Sequence, residues 1–354
     1  MSPKSVGEVQ EAVREVRSLS KGPTPPRLRI RAGGTKPALS TPKEGEVLLD
    51  LSGLRGVLEY APEEFVFTAL VGTPVEEVEA LLRAHGQHLP FHPPFAQEGA
   101  TLGGTVAAGL SGPLRHRFGG VRDFILGVRF VDGTGKLVKA GGKVVKDAAG
   151  FGFHRLMVGS LGAFGVMVEL SFKVFPYPRA TRTLRLELGL ERALEAMERL
   201  LQSPFDLMAL DLEPPSTLHI RIGGLPESLP RRTERLLGFL GAQGARLEVL
   251  EEDEAYWEEV RRFPFGPLLV KIPTKLPEIP RLEGLLSGRR RYIAGGEALY
   301  AGVEPEERQR LKDLGIPHLV LKGEAPDPLF PPPKDPFFQR VKEALDPEGR
   351  LCLS

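Results

Sequence analysis

The chain has 354 residues, 41% of them hydrophobic, and its 47 basic and 46 acidic side chains leave a net charge of +1. That is enough chain for two or three cores, and the charge balance argues against nucleic acid or an anionic membrane as the main partner. The single cysteine, Cys352, excludes an internal disulfide, a cysteine-held zinc site and an iron–sulfur cluster bound by this chain alone.

In chain order, Val6, Val9, Val13 and Val16 fall at helical spacing. Leu28 and Ile30 alternate with Arg27, Arg29 and Arg31 as in a half-buried strand. Strands are predicted at 46–51, 56–60 and 65–71, and then a helix with Thr73 as N-cap, Pro74 at its first position and Glu76 closing a capping box. Beyond residue 178 the order strand (181–188), helix (190–201), strands (206–212, 218–222), helix (226–240), strand (245–251) is that of a split βαβ, ferredoxin-like motif. The same order recurs over 267–321, so two fused copies are expected to form one antiparallel sheet with helices on one face. Six prolines between Pro326 and Pro336 predict a stiff connector, followed by a closing helix at 337–345 and a tail docking on the first domain. The expected domains are therefore 1–178, 179–325 and the connector with tail, 326–354.

Of the 41 glycines, 26 lie within 1–178 and 17 within 99–165, a density expected where backbone approaches a ligand or another backbone closely. Four segments carry the pattern. Arg31-Ala32-Gly33-Gly34-Thr35-Lys36 follows a strand and offers backbone N–H groups, a hydroxyl and positive charge, the means by which a loop holds a pyrophosphate. The run from Gly99 to Gly109, with Thr101, Gly103, Gly104 and Thr105, leads into Ser111-Gly112; it suits either a large flat ligand or tight helix packing. Phe118-Gly119-Gly120-Val121 comes third, and the fourth runs from Lys146-Asp147 to Gly159, Gly162, Gly165 and Val166. No Walker loop and no G-x-G-x-x-G after the first strand is present, which disfavours nicotinamide binding of that type.

Taken together, the four segments resemble the FAD-binding domain of the p-cresol methylhydroxylase / vanillyl-alcohol oxidase superfamily, and within it the small FAD-binding subunits of bacterial glycolate oxidases. The resemblance covers about residues 1–178 and implies an α+β chain: an FAD domain of two α/β subdomains with a ferredoxin-like antiparallel cap. It implies that the Arg31, Gly33, Gly34, Thr35, Lys36 loop and the Thr101, Gly103, Gly104, Thr105 loop hold the FAD pyrophosphate. Ser111, Gly112 and Gly120 would lie near the ribityl chain and flavin ring, and Gly159, Gly162, Gly165 and Val166 along the adenosine and flavin edge. Relatives often carry asparagine where this chain has Gly109, Asp147 and Cys352. Lys36 and Pro37 stand where covalent members place a histidine, so FAD is expected to bind noncovalently.

The implied function is that of an FAD-binding subunit in a glycolate oxidase or 2-hydroxy-acid dehydrogenase complex. Its partners would be a larger flavin subunit that oxidises glycolate or D-lactate and an iron–sulfur subunit that takes the electrons onward. A self-sufficient 2-hydroxy-acid dehydrogenase and a flavin-free structural subunit remain open alternatives. No run of 18 apolar residues and no signal or transit pattern occurs, so a cytoplasmic protein is expected, reaching a membrane only through partners.

His116, between Arg115 and Arg117, is the one weak candidate for catalysis. His85, His88 and His92 read as surface or loop residues rather than metal ligands, and Arg289-Arg290-Arg291 as an exposed basic turn. The chain has no asparagine and only seven glutamines, a composition that fits heat stability.

Overall fold

The computed structural model describes residues 1–19, 25–142, 152–215, 217–241 and 245–353; the 146–150 segment of the fourth motif, with Asp147, lies outside them. Ser5 opens α1 (Val6–Ser18): its Oγ accepts from the Glu8 N–H at 3.2 Å, and Val9, Val13 and Val16 turn into the core. β1 (Arg27–Arg31) pairs in parallel with β2 (Glu46–Asp50), with α2 (Pro37–Ser40) between them. The alternation predicted for β1 is only partly realised. Leu28 is buried, but so is Arg29, whose Nε and Nη2 donate to the two Glu46 oxygens at 2.8 and 2.7 Å. A bidentate carboxylate lets a cation sit where periodicity alone assigns solvent.

β3 (Val57–Ala61) and β4 (Val66–Leu70) form a hairpin that leads to α3 (Val75–Arg83). Thr73 does not cap this helix. Its hydroxyl spans to Gly56, accepting from the N–H and donating to the carbonyl, while the Val75 N–H donates to Ala100 O at 2.8 Å. The helix start is thus tied to the glycine-rich segment instead of being capped locally. β5 (Gln87–His88), α4 (Leu102–Ala108), α5 (Arg115–Phe118) and α6 (Val121–Phe124) follow, then β6 (Ile125–Val131), β7 (Leu137–Gly141), β8 (Val166–Lys173) and β9 (Phe175–Pro176). The antiparallel sheet they build has the order β3-β4-β8-β6-β7.

The remaining strands form one antiparallel sheet of nine. β10 (Ala180–Glu187), α7 (Leu190–Leu201), β11 (Ala209–Glu213), β12 (Thr217–Gly224), α8 (Leu229–Leu240) and β13 (Arg246–Leu250) are the first βαββαβ unit. After α9 (Glu254–Val260) come β14 (Leu269–Pro273), α10 (Ile279–Glu283), β15 (Arg290–Ile293), β16 (Ala298–Gly302), α11 (Pro305–Asp313) and β17 (His318–Lys322). The spatial order β13-β10-β12-β11 is ferredoxin-like, the second unit repeats it in reverse, and β11 meets β15 at the join, Leu212 opposite Tyr292.

Period-two alternation divides the two faces. Leu184, Leu186, Ile220 and Ile222 pack against Met197 and Leu200 of α7 and Leu236 of α8. Thr183, His219 and Arg291 belong to the opposite face, covered by α9: Trp257 Nε1 donates to Thr183 Oγ1 at 2.7 Å, and the Tyr256 hydroxyl lies 2.6 Å from His219 Nδ1. The basic triplet is mostly interior, contrary to the turn expected. Arg290 holds Glu283, Arg291 holds Asp211 and Glu213, and only Arg289 stands in solvent. Within the proline-rich stretch β18 (Leu329–Phe330) adds to the sheet edge beside β17, and α12 (Pro336–Leu345) follows. The tail lies beside β1: the Leu28 N–H donates to Arg350 O at 2.7 Å and the Cys352 N–H to Leu28 O at 3.0 Å.

Candidate cofactor-binding groove

Two glycine loops face each other across a groove of about 690 Å³, counting the space open to solvent. One wall is the loop after β1, with Arg31, Gly33, Gly34, Thr35 and Lys36; the other is the start of α4, with Thr101, Gly103 and Gly104; Gly162 and Gly165 close one end. Sequence reasoning did not single out the apolar floor, made by Ile30, Leu51, Val71, Ala107 and Met167.

The walls approach as closely as they do because of particular glycines. A Cβ on Gly33 would lie 2.2 Å from the Gly99 carbonyl oxygen, so only glycine lets these two loops touch. Gly104 is different: its Cβ would lie 3.3 Å from Thr101 Oγ1 and 3.5 Å from Lys36 Nζ, side-chain atoms of the groove and not backbone. Thr101 caps α4, its Oγ1 accepting from the Gly104 N–H at 3.3 Å.

The groove is electrically incomplete. Lys36 is buried, yet its ammonium donates only to Thr35 Oγ1, at 3.0 Å, and has no carboxylate within 4 Å among the described residues. Burial, with Lys322 adding repulsion, holds it down to about 8 from an ordinary 10.5, and Glu98 offsets this in part. Beside it, the backbone N–H groups of Gly33, Gly34 and Thr35 make no hydrogen bond among the described residues. Arg31 is committed elsewhere, to Asp50 at 2.7 Å. An unpaired ammonium next to three consecutive free N–H groups is a cradle for anionic oxygens.

The other sequence-selected residues lie outside the groove lining, mostly packed around the far end of α4. Thr105 is buried in the helix. Ser111 Oγ accepts from the Val121 N–H at 3.0 Å, and a Cβ on Gly120 would lie 3.2 Å from that oxygen. Gly112 packs on the His92 carbonyl, the Gly159 N–H donates to Val106 O at 2.9 Å, and Val166 stands opposite Val131 in the sheet. The cap reaches this end: Lys271 Nζ donates to Gly109 O at 3.2 Å and the Tyr300 hydroxyl to Ser111 O at 3.3 Å. Neither residue carries a signal in the sequence, since each is one position on a strand.

The histidines are more interior than expected. His116 is half-buried in the seam, its Nδ1 3.4 Å from where a Gly295 Cβ would stand, and it does not line the groove. Burial lowers its pKa, countered in part by Glu297 and Ala294. His88 is half-buried between the Phe118 and Tyr177 rings and His92 is buried, so neither is a surface residue. Burial keeps both neutral, His88 down to about 4. Among the described residues no group of three or more His, Cys, Asp or Glu is arranged to hold a metal ion, and no helix is long and apolar enough to cross a membrane.

A match to the FAD binding domain family covers residues 1–141. Glycolate oxidase subunit GlcE of Escherichia coli K12 is 36% identical over 337 residues, spanning 91% of this chain and 90% of that protein. The chain belongs to the GlcE family. More distant similarity reaches a D-2-hydroxyglutarate dehydrogenase of Xanthomonas citri pv. viticola, 30% identical over 187 residues, 52% of this chain and 38% of that protein. Among solved structures, alkyldihydroxyacetonephosphate synthase aligns with a TM-score of 0.73 over 99% of this chain and 75% of its own, at 15% identity. That likeness speaks for the fold alone. With the FAD domain match, it makes the architecture of this GlcE-family chain a p-cresol methylhydroxylase-type FAD-binding fold carrying a ferredoxin-like cap.

Proposed function

We propose that this chain is an FAD-binding subunit of a glycolate oxidase-type complex that oxidises small 2-hydroxy acids. The observation that carries the reading is the charge-deficient groove at Lys36, in a chain similar over nearly its whole length to glycolate oxidase subunit GlcE. The groove fits FAD. Lys36, with the N–H groups of Gly33, Gly34 and Thr35, holds the pyrophosphate; Gly104 leaves room above it; Ile30, Leu51 and Met167 pack against the apolar parts. Gly109, Ser111, Gly112 and Gly120 stand at the flavin end of α4. We read the attachment as noncovalent, since Lys36 and Pro37 stand where covalent members place a histidine.

When bound, FAD supplies the capacity to take up and pass on an electron pair. The protein's own contribution is binding and electrostatics: it fixes two negative phosphates on one desolvated ammonium and orients the ring against the cap. By its likeness to glycolate oxidase subunits we place hydroxy-acid oxidation on a larger flavin subunit and onward transfer on an iron–sulfur subunit, since one cysteine cannot hold a cluster. The complex is read as cytoplasmic, any membrane contact being made by its partners.

The test is an ultraviolet-visible spectrum of the purified full chain before and after incubation with FAD, then anaerobic addition of glycolate or D-lactate with and without the partner subunits. Stoichiometric FAD that bleaches only when the partners are present is the expected result. A colourless chain that takes up no FAD refutes the assignment.

A further inference from the structure

Most of the cations that burial withdraws from water are held by carboxylates. Arg29 sits on Glu46, Arg221 on Asp253, Arg261 on Glu79 and Arg291 on Asp211. The exceptions include Arg308, which donates to the Asp327 carbonyl, and, beside the glycine segments, Lys36 and the part-buried Lys271. Lys36 is accounted for by the pyrophosphate; Lys271 is not.

Lys271 lies on β14 between Tyr300 of β16 and Leu319 of β17, and its side chain crosses from the cap to the end of α4. Of its three N–H donors, one reaches Gly109 O at 3.2 Å; no other hydrogen bond and no carboxylate within 4 Å is present among the described residues. The neighbouring charge is Arg115, which shares its repulsion, and Arg115 itself is turned to Glu297 at 3.1 Å. An ammonium in a desolvated seam with two idle donors is costly unless an acceptor arrives. The position of that acceptor follows from α4. The helix spans seven residues, about 10 Å, with the pyrophosphate cradle at its first turn and Gly109 directly after its last. Ala107 and Ala108, the last two residues before Gly109, line the groove.

We propose that Lys271 is the cap's contact with the flavin ring, its ammonium supplying positive charge to the ring's acceptor edge beside Gly109. This rests on the FAD reading above. The oxidised ring is neutral. Taking up two electrons and one proton, the electrons being those the hydroxy acid gives up, it acquires one negative charge. An ammonium held against it stabilises that product more than the reactant and raises the reduction potential.

The experiment uses the purified full chain reconstituted with FAD and titrated against a redox dye, with no hydroxy acid present. Lys271→Met is expected to retain FAD but shift the reduction equilibrium at least tenfold toward the oxidised form, about 30 mV for a two-electron couple. Lys271→Arg, which keeps the charge, should stay within about threefold of the parent. Lys271→Gln keeps a donor for Gly109 without the charge and is read in the same way as Lys271→Met should the latter fail to fold. A wild type that binds FAD beside charge-removing variants of unchanged potential overturns the inference and leaves the FAD reading standing. So does an unchanged potential where oxalate shifts the flavin spectrum of the wild type and not that of the variants, which assigns Lys271 to a substrate carboxylate. A wild type that takes up no FAD overturns both.

Discussion

Replacing Lys36 by methionine is expected to move stability and ligand affinity in opposite directions. Burial holds the Lys36 ammonium down to about 8, against 10.5 for the ordinary side chain, so with the groove empty the charge opposes folding by about 3 kcal/mol at neutral pH. Methionine keeps the length without the charge and gives up one hydrogen bond to Thr35. The FAD-free variant should therefore be more stable by about 1–3 kcal/mol at pH 7. The sign of the pH dependence follows. Above pH 8 the folded wild type releases this proton while the unfolded chain keeps it to 10.5, so wild-type stability rises with pH by at most about 1.4 kcal/mol per unit and the variant's advantage shrinks. Affinity moves the other way: a lost charged hydrogen bond costs about 1.5–3 kcal/mol, a rise in Kd of about ten- to 150-fold. Urea unfolding of the FAD-free proteins at pH 7 and pH 9.5, with FAD titrations followed by flavin fluorescence, reads both quantities. A variant that is less stable without FAD and binds it as tightly as wild type would refute the reasoning.

Gly104→Leu meets only the side-chain ends of Thr101 and Lys36, 3.3 and 3.5 Å from its Cβ, so its melting temperature should stay within about 3 °C of wild type while bound FAD is lost; retained FAD removes Gly104 from the pyrophosphate site. Gly33→Ala places its Cβ 2.2 Å from a backbone carbonyl and should cost about 1–3 kcal/mol of stability, measurable by denaturant titration without any ligand. Glu46→Gln leaves Arg29 buried without its anion, at about 3–5 kcal/mol. In the wild type, Glu46 is held down to about 2 by the Arg29 guanidinium and the Lys43 N–H, so its contribution is present above pH 4.5 and disappears as pH falls toward 2. The asparagine-free composition predicts melting above about 70 °C; a scan showing a transition near 50 °C counts against it.

The fold was legible to the extent that local rules governed it. Both βαββαβ orders could be read from period-two and 3.6-residue patterns, because in the cap those patterns coincide with burial: Leu184 and Leu186 go to the helices, Thr183 to α9. Reading failed where a tertiary partner replaced a local one. Thr73 has the sequence of an N-cap but bonds Gly56, since the Ala100 carbonyl already receives the Val75 N–H. Arg29, Arg290 and Arg291 have the sequence of surface cations but are interior, because Glu46, Glu283 and Asp211 neutralise them. A periodicity argument assigns a charge to solvent by default, and only the position of its counterion reverses that.

The same distinction divides the groove. Its glycine walls announce themselves, since clustered glycine is how a chain permits contacts such as Gly33 against the Gly99 carbonyl. The tight helix packing weighed for residues 99–109 is present: α4 is a helix, and Gly103 packs its first turn on Val71. The first turn of α4 has two sides, Gly103 against the sheet and Gly104 toward Lys36, and it is the second that we propose for the ligand. What no spacing rule could show is the cap's share. Lys271 stands 162 residues from the carbonyl it binds, on a strand whose alternation says only that it shares a face with Leu269. Its unusual feature is not its residue type but its lack of a carboxylate, and that is visible only after every neighbouring cation has been matched to a partner.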